Sequence, residues 1–557
     1  MKDDQFRPRA YEKAARLIES MERDLADIYK ADGIKGLKSI PGIGESTAEK
    51  IEEYIKTGGV KTFEKLKKEA PVDLESFEAI EGIGPKMIKA LYENLGVRNL
   101  KDLEKAAKAK KIRGLPHFGE KTEENILRSI ELSRGDRGRF LLGYILPIVR
   151  AIEKEIGRLK SVKKVITCGS VRRMKETVGD IDILAIAKDS LEVMEFFTSM
   201  PMVEKIIAKG DTKSSVRLDI GIDADLRVVR EKSFGAAKQY FTGNKDHNIE
   251  LRKIAIKKGW KLNEYGLFDK KSRLIAGRDE KEIYKKLGLD WMPPEMRENR
   301  GEIELALKHK LPRIVKSDEV LGDLHLHTTY SDGAHTIREM AETAKKQGLK
   351  YIAVTDHIGS LVIAGAMDKK TIEKQWKEVD RINKGLRGFR ILKSCEVDIN
   401  SDGTIALDRK DLKGFDMVVA AVHSNFKMNR NDMTKRIVRA VKNPYVDVIA
   451  HPTGRIIHQR AGYEIDFGEI CKMAARHKTA LEINCYPNRL DLNDLNAYQA
   501  IKRGVKLSIG TDSHSKTQLH NLELGVAQAR RAWAKKSDIL NCMEAEELIK
   551  FLNLKKK

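Results

Sequence analysis

The sequence predicts a multidomain chain, with an α-helical region first, an α+β region in the middle and an α/β domain resembling a distorted parallel barrel at the C-terminal end. Three observations predict it. Residues 1 to about 135 read as short helices separated by glycine-containing turns. From about Phe140 the pattern changes to helices alternating with β-branched strands such as VKKVITCGS and DIDILAIA. From Gly322 onward strand-like apolar runs (KYIAVTDH, DMVVAAVHS, DVIAHP, ALEIN, VKLSIGTDSH) alternate with helical segments. That alternation is the mark of parallel strands joined by helices, whose functional groups gather at the strand C-terminal ends. At 557 residues the chain also exceeds what one hydrophobic core organises, so about three or four folded units are expected.

The formal charge of +23 points to a polyanionic partner, because clustered Lys and Arg displace the counterions condensed on phosphates. A solvated basic surface is the other reading of that number. The five cysteines include no CxxC pair and make an odd total, which argues against a disulfide framework or a zinc ribbon and fits a reducing cytoplasm. The start MKDDQFRPRA carries no apolar run, and no stretch approaches the roughly 20 apolar residues of a membrane span.

In the helical region three turns resemble one another. PGIG precedes ESTAEKIEEYIKTG, EGIG precedes PKMIKALYENLG, and HFGE precedes KTEENILRSIE. A GIG turn opening a helix exposes backbone N–H groups that, with the helix dipole, favour a phosphate oxygen and hold DNA without reading its sequence. The segments resemble helix-hairpin-helix modules, the third only loosely. The expected DNA contacts are the amides near Gly42, Gly44, Gly82 and Gly84, with Lys50 and Lys86 close by.

The middle region carries CGSVRRMKETVGDID. Asp180 and Asp182 lie two apart on a strand, so both side chains share a face, where a divalent ion relieves their repulsion. Gly169 and Ser170 at a strand-to-helix turn can set an amide and a hydroxyl against a phosphate, and Arg173 adds charge. Asp225, in DADLRVV, supplies a third acid from a neighbouring strand. Such a trio can hold two ions, expected to be Mg²⁺ or Mn²⁺, about 3.5 to 4 Å apart. D-x-D alone also reads as an edge-strand solubility device; with GS eleven residues upstream it resembles the nucleotidyltransferase palm of family X DNA polymerases, over about residues 5 to 300.

The resemblance implies further roles. In GAAKQYFTGNKDHNIELR, Tyr240, Phe241 and Gly243 fall where the family packs the incoming sugar, Asn248 where it reads a minor-groove acceptor, and Arg252 where it contacts the template side. Asn263, Glu264 and Tyr265 match the sheet closing the thumb. Lys50 falls at the position of a Schiff-base lysine that excises 5′ deoxyribose phosphate. Tyr11 and Lys13 match such members, while Phe6, Arg7 and Ser46 replace the basic residues that bind the 5′ phosphate. An exposed helical lysine touching the DNA backbone is the other reading of Lys50.

Beyond residue 320, DLHLHTTYSDG offers His325, His327 and Asp332; TDH gives His357, CEVD gives Glu396, AVHS gives His423, AHP gives His451, and GTDSH gives Asp512 and His514. Imidazole plus carboxylate suits Zn²⁺, Mn²⁺ or Fe²⁺, and clustered ions suit phosphoester hydrolysis. The set resembles the PHP family, with a cluster of three ions implied and a 3′–5′ exonuclease expected. Asp356 reads as a partner of a ligand rather than a ligand.

The expected organisation is a lyase-like helical domain at 1–75, a fingers-like helix-hairpin-helix domain at 76–138, the palm at 139–232, the thumb at 233–290, a tether at 291–319 and the PHP domain at 320–557. The expected function is a monomeric, cytoplasmic, template-directed repair polymerase that fills short gaps, takes gapped or nicked DNA and dNTPs, and trims 3′ ends. The alternatives are a template-independent nucleotidyltransferase with a small-molecule phosphatase domain, and a DNA scaffold with inert sites.

Overall fold

The computed structural model describes residues 18, 25–40, 43–62, 72, 85–115, 118–119, 122–123, 126–127, 138–359 and 366–554. Helix Leu25–Lys38 bends at Gly33, which takes φ 60°, and helix Glu45–Thr57 ends at Gly58 in the left-handed region. They pack through Leu37, Ile43 and Ala48. Helices Pro85–Leu95 and Leu100–Lys108 surround Leu91, Leu103, Ile112 and Ile126. Asn99 starts the second of these by accepting from the amides of Lys101 and Asp102.

In the middle region, helix Leu142–Gly157 buries Leu142, Ile145, Leu146, Val149, Ile152 and Ile156, the three-and-four spacing of one helical face. That face covers a five-stranded sheet. Its order across the sheet is Val162–Thr167, Asp180–Ala187, Asp223–Val228, Lys213–Leu218, Val203–Lys209. The second and third strands run parallel, pairing Asp180 with Asp223 and Asp182 with Asp225. Helices Phe234–Thr242, Lys245–Lys257 and Glu280–Leu287 and a three-stranded antiparallel sheet form the next body.

Glu280, 3% exposed, joins that body to the palm. It accepts from Arg172 at 2.9 Å and from Arg297, itself wholly buried, at 2.7 Å. Burial alone would raise the Glu280 pKa, but Arg297 and Arg172 outweigh it and hold the carboxyl well below its usual range. Its stabilisation is therefore complete above the unfolded-state carboxylate pKa and fades as pH falls toward the depressed folded value. Glu280→Gln leaves a buried guanidinium without its carboxylate, and we expect a loss of about 3–5 kcal/mol at neutral pH. Urea unfolding of wild type and variant should show that gap narrowing as pH drops below about 4.

Residues 291–319, whose prolines and charges read as a tether, pack tightly between the flanking bodies. Met292, Met296, Ile303, Ala306 and Val315 are buried. The charges find partners on either side: Glu295 takes Arg530 at 2.8 Å, Glu298 takes Arg173 and Arg531 at 3.0 Å each, and Arg300 reaches Asp494 at 3.0 Å. Sequence alone does not reveal those partners, since they lie up to some 230 positions away.

The C-terminal body is a parallel sheet in the order Gly322–Leu326, Tyr351–Val354, Arg390–Asp398, Met417–Ala421, Val448–Ile449, Ala480–Asn484, Leu507–Gly510, with His357–Ile358 added against the third strand. A parallel bridge from Leu326 to Ser513 brings the last strand back to the first, so the barrel is nearly closed. It docks on the palm: Leu490 and Leu524 complete the palm core, Arg455 pairs with Glu176, and Arg150 with Glu523 at 2.9 Å. Gly143 lies so close to Pro487 and Leu524 that a Cβ there would meet them at 2.8–2.9 Å.

Candidate active sites

Parallel pairing of the two acidic strands sets Asp182 beside Asp225, with Asp180 two residues before Asp182 at the exposed edge. Burial, then the Asp180 and Asp225 carboxylates, push the Asp182 pKa up to about 7. Lys213 reaches Asp225 at 3.1 Å, and Arg227 stacks over Phe241 at 4.7 Å from the ring centroid. A carboxylate held that far from its ionised form by burial and by neighbouring acids is one that a divalent cation would stabilise, so the donor set fits such an ion.

Gly169 opens a one-turn helix at φ +61°, and its amino neighbour Cys168 donates its N–H to the Asp182 carbonyl at 2.7 Å. A Cβ at Gly169 would sit 2.3 Å from Asp182 Oδ2. Both the positive φ and this close approach require glycine. We expect Gly169→Ala to displace the Asp182 carboxylate and lower the turnover of this site by roughly 10²-fold, the scale of an ångström misplacement, measured in steady-state kinetics. Ser170 Oγ is buried and makes no hydrogen bond among the described residues, which leaves it able to bond a ligand. Arg173 is 8% exposed and bonds Glu298 and the Thr242 carbonyl.

Tyr240 and Phe241 meet edge to face, 5.2 Å between centroids, at the end of helix Phe234–Thr242. Gly243 follows at φ +66°, 3.3 Å from Arg173 if given a Cβ. Asn248 spends its amide within the protein, accepting from Gln239 at 2.6 Å and donating to the Tyr240 carbonyl at 2.7 Å. Those bonds use one of the two Nδ2 hydrogens, and the second can donate to an acceptor on a bound base. Arg252 is half-buried on the same helix, Lys245–Lys257.

At the C-terminal end of the barrel the nine histidines and acids converge. Glu396 is the hub: one oxygen lies 3.0 Å from His357 and 3.5–3.6 Å from His325 and His327, the other 3.1 Å from His451 and 3.2 Å from His423. Asp512 lies 3.2 Å from His327, and Asp332 is 3.3 Å from His514. Three groups of potential ligand atoms can be drawn: His327, Asp332, His357 and His514; His325, His327 and Asp512; His357, Glu396 and His423. Burial, reinforced for His327 by His514 and His357 and for His451 by Arg489, lowers both pKa values to about 4. Each therefore presents a neutral imidazole, and their Nδ1 atoms are buried without a hydrogen bond among the described residues. For His325, His357, His423 and His514 the facing carboxylates outweigh burial and raise the pKa instead, and a cluster of divalent ions would supply the positive charge that those carboxylates draw.

Carboxylates behind the histidines fix their orientation. Glu482 accepts from His325 Nδ1 at 2.6 Å and from the His451 amide at 2.7 Å; Asp398 holds His423 Nδ1 at 2.7 Å; Asp323 takes the Thr511 amide at 3.0 Å. Asp356 is occupied by Thr328, Ser331 and Gln375 at 2.6–2.7 Å, which makes it a brace for the loop. Sequence reasoning missed Glu482, Asp398 and Asp323 as braces. The signal available was position: Asp323 and Asp398 each lie two residues from a proposed ligand along one strand. Arg489, 3.8 Å from Asp512, adds a cation at the rim.

Of the N-terminal residues, Gly44 is exposed at the start of helix Glu45–Thr57, and Lys50 bonds Ser46 Oγ at 2.7 Å one turn earlier. Gly42, Gly82, Gly84, Phe6, Arg7, Tyr11, Lys13 and the HFGE turn's His117 and Glu120 lie outside the described residues, as does the side chain of Lys86, whose backbone is in helix Pro85–Leu95.

Family models match in five places: a helix-hairpin-helix domain at residues 1–60, a SAM-like helix-hairpin-helix tandem at 73–131, a DNA polymerase beta palm at 145–255, a DNA polymerase beta thumb at 237–298, and a PHP domain at 323–485. The DNA polymerase/3′-5′ exonuclease PolX of Bacillus subtilis is 38% identical over 553 residues, 99% of this chain and 96% of that protein. A probable phosphatase of Thermoanaerobacter pseudethanolicus is 30% identical over 230 residues, 39% of this chain and 89% of its own length. One of Proteus mirabilis is 31% identical over 211 residues, 36% of this chain and 81% of its own.

Proposed function

Because this chain belongs to family X of the DNA polymerases, in the PolX group that carries a PHP domain, we propose that it fills short gaps in DNA and processes the 3′ end it extends. It is a DNA polymerase and a 3′–5′ exonuclease that uses divalent metal ions. The observation that carries the synthetic half is the register that sets Asp182 against Asp225, with Asp180 on the same strand.

Asp180, Asp182 and Asp225 would hold Mg²⁺ or Mn²⁺, which when bound would supply activation of the primer hydroxyl and neutralisation of the leaving pyrophosphate. Ser170 and Arg173 bind the triphosphate, Tyr240, Phe241 and Gly243 pack the sugar, Asn248 tests the base pair through the minor groove, and Arg252 steadies the template. The helix-hairpin-helix turns, with Gly42, Gly44, Gly82, Gly84, Lys50 and Lys86, grip the backbone around the gap, and a Schiff-base role for Lys50 would be an added step there. In the barrel, His325, His327, Asp332, His357, Glu396, His423, His451, Asp512 and His514 would hold Zn²⁺, Mn²⁺ or Fe²⁺, which when bound would supply a nucleophilic water and charge for the scissile phosphate. Among the described residues no helix is long and apolar enough to cross a membrane, and the proposed setting is the cytoplasm, with the chain acting as a monomer.

The test is primer extension and degradation on gapped and single-stranded DNA, with Mg²⁺ and Mn²⁺ in separate reactions. Extension of the gapped primer up to the downstream strand, with release of 3′-labelled nucleotide, is the expected result. Untemplated extension of single strands would replace the proposal with a template-independent nucleotidyltransferase. The phosphatase relatives favour a second reading for the barrel, and preferential release of phosphate from phosphorylated metabolites over 3′ nucleotide would establish it.

A further inference from the structure

Arg531 ends the helix Leu522–Arg531 in the PHP domain, 2% exposed, yet its bonds reach the nucleotide site of the palm. One guanidinium nitrogen donates to the backbone carbonyl of Arg173 at 2.7 Å and to Glu298 Oε1 at 3.0 Å. The other donates to Asp494 at 2.7 Å. Glu298 Oε1 also takes Arg173 Nε at 3.0 Å, and Oε2 takes Asn244 at 3.1 Å. Arg531 therefore grips Arg173 twice, once by its backbone and once through the carboxylate that orients its guanidinium.

We propose that Arg531 is a positioning residue for nucleotidyl transfer, through which the PHP domain sets the triphosphate-binding Arg173 of the palm. The inference rests on the assignment of Arg173 to the triphosphate. Glu298 shares its charge between two guanidinium groups. Without Arg531 the whole of that charge falls on Arg173 and draws it toward the linker at the expense of the incoming nucleotide, while the Arg173 carbonyl loses its anchor. A ground-state contact is weakened, so the effect falls on nucleotide affinity more than on turnover.

Arg530, next in the chain, supplies the control. It bonds Glu295 at 2.8 Å and the Val315 carbonyl, fastening the same helix to the same linker without touching Arg173 or Glu298. The experiment measures KM for dNTP, kcat and exonuclease rate in the full-length Arg531→Ala, Arg530→Ala, Arg173→Ala and Arg173→Ala/Arg531→Ala proteins. Expected are a rise of about tenfold in KM for Arg531→Ala with kcat within about threefold, an unchanged Arg530→Ala, unchanged exonuclease, and a double variant no worse than Arg173→Ala. Arg531→Lys keeps the buried charge but lacks the planar fork that spans three acceptors, and carries the same comparison should the alanine variant not fold. Equal KM rises in Arg530→Ala and Arg531→Ala, or full additivity with Arg173→Ala, would reduce Arg531 to a docking residue and overturn the proposal. An unchanged KM in Arg173→Ala would overturn the assignment of Arg173 itself.

Discussion

Asp225→Ala is expected to abolish nucleotide incorporation while leaving 3′–5′ exonuclease activity at the wild-type rate. The loss should be at least 10²–10³-fold in kcat, the scale seen when a single group stabilising transition-state charge is removed. The prediction is clean because the substitution does not threaten the fold. Asp225 is partly exposed, its ion pair is with the exposed Lys213, and the buried neighbours Ala224 and Leu226 face the other side of the sheet. Removing it also relieves Asp182, whose pKa stands at about 7 because of burial and of the Asp180 and Asp225 charges. In the variant that value should fall toward the usual carboxylate range, so stability at neutral pH holds or rises slightly. Single-turnover incorporation and 3′-label release, measured on one preparation, check it. Parallel loss of both activities would mean that synthesis and degradation share a centre.

The sequence showed the chemistry of both sites more fully than their supports. Asp180 and Asp182 were legible because strand periodicity is two and because a glycine-serine turn precedes them. The partnership of Asp182 with Asp225 depends on a parallel register that links positions 43 apart, which a sequence suggests only through the need for a third acid. The proposed barrel ligands were legible for a different reason: each follows or ends an apolar strand, where such barrels expose their functional groups. Glu482, which orients the His325 imidazole, and Asp323, which holds the His325 and Thr511 amides, were not, since such a carboxylate looks like any acid on a strand until the fold places it. The linker shows the same limit. Glu295, Glu298 and Arg300 read as solvated charge, and only the docking of the helix Leu522–Arg531 and of Asp494 turns them into buried pairs.

The complementary experiment combines His325→Ala with His327→Ala. Both side chains are buried, 1% and 0% exposed, and His327 belongs to two of the three potential ion groups, so the pair removes donors from most of the cluster. We expect exonuclease activity to fall by at least about 10³-fold, because losing ligands takes away both the activated water and the charge that stabilises the scissile phosphate. Metal analysis should show fewer ions per chain. An ion that binds only the folded state stabilises it by about 2.7 kcal/mol at a hundred times its Kd, so added Zn²⁺ should raise the wild-type melting temperature more than that of the variant, which keeps the palm acids and the His357, Glu396 and His423 group. Polymerase activity should survive. The bonds that bind the barrel to the palm run through Arg455, Arg531 and Glu523, and none of them involves either histidine. Coupling through docking and catalysis in the barrel are therefore separable: a histidine variant that also lost nucleotide incorporation, while keeping its fold, would mean that the ions themselves hold the two active sites in register.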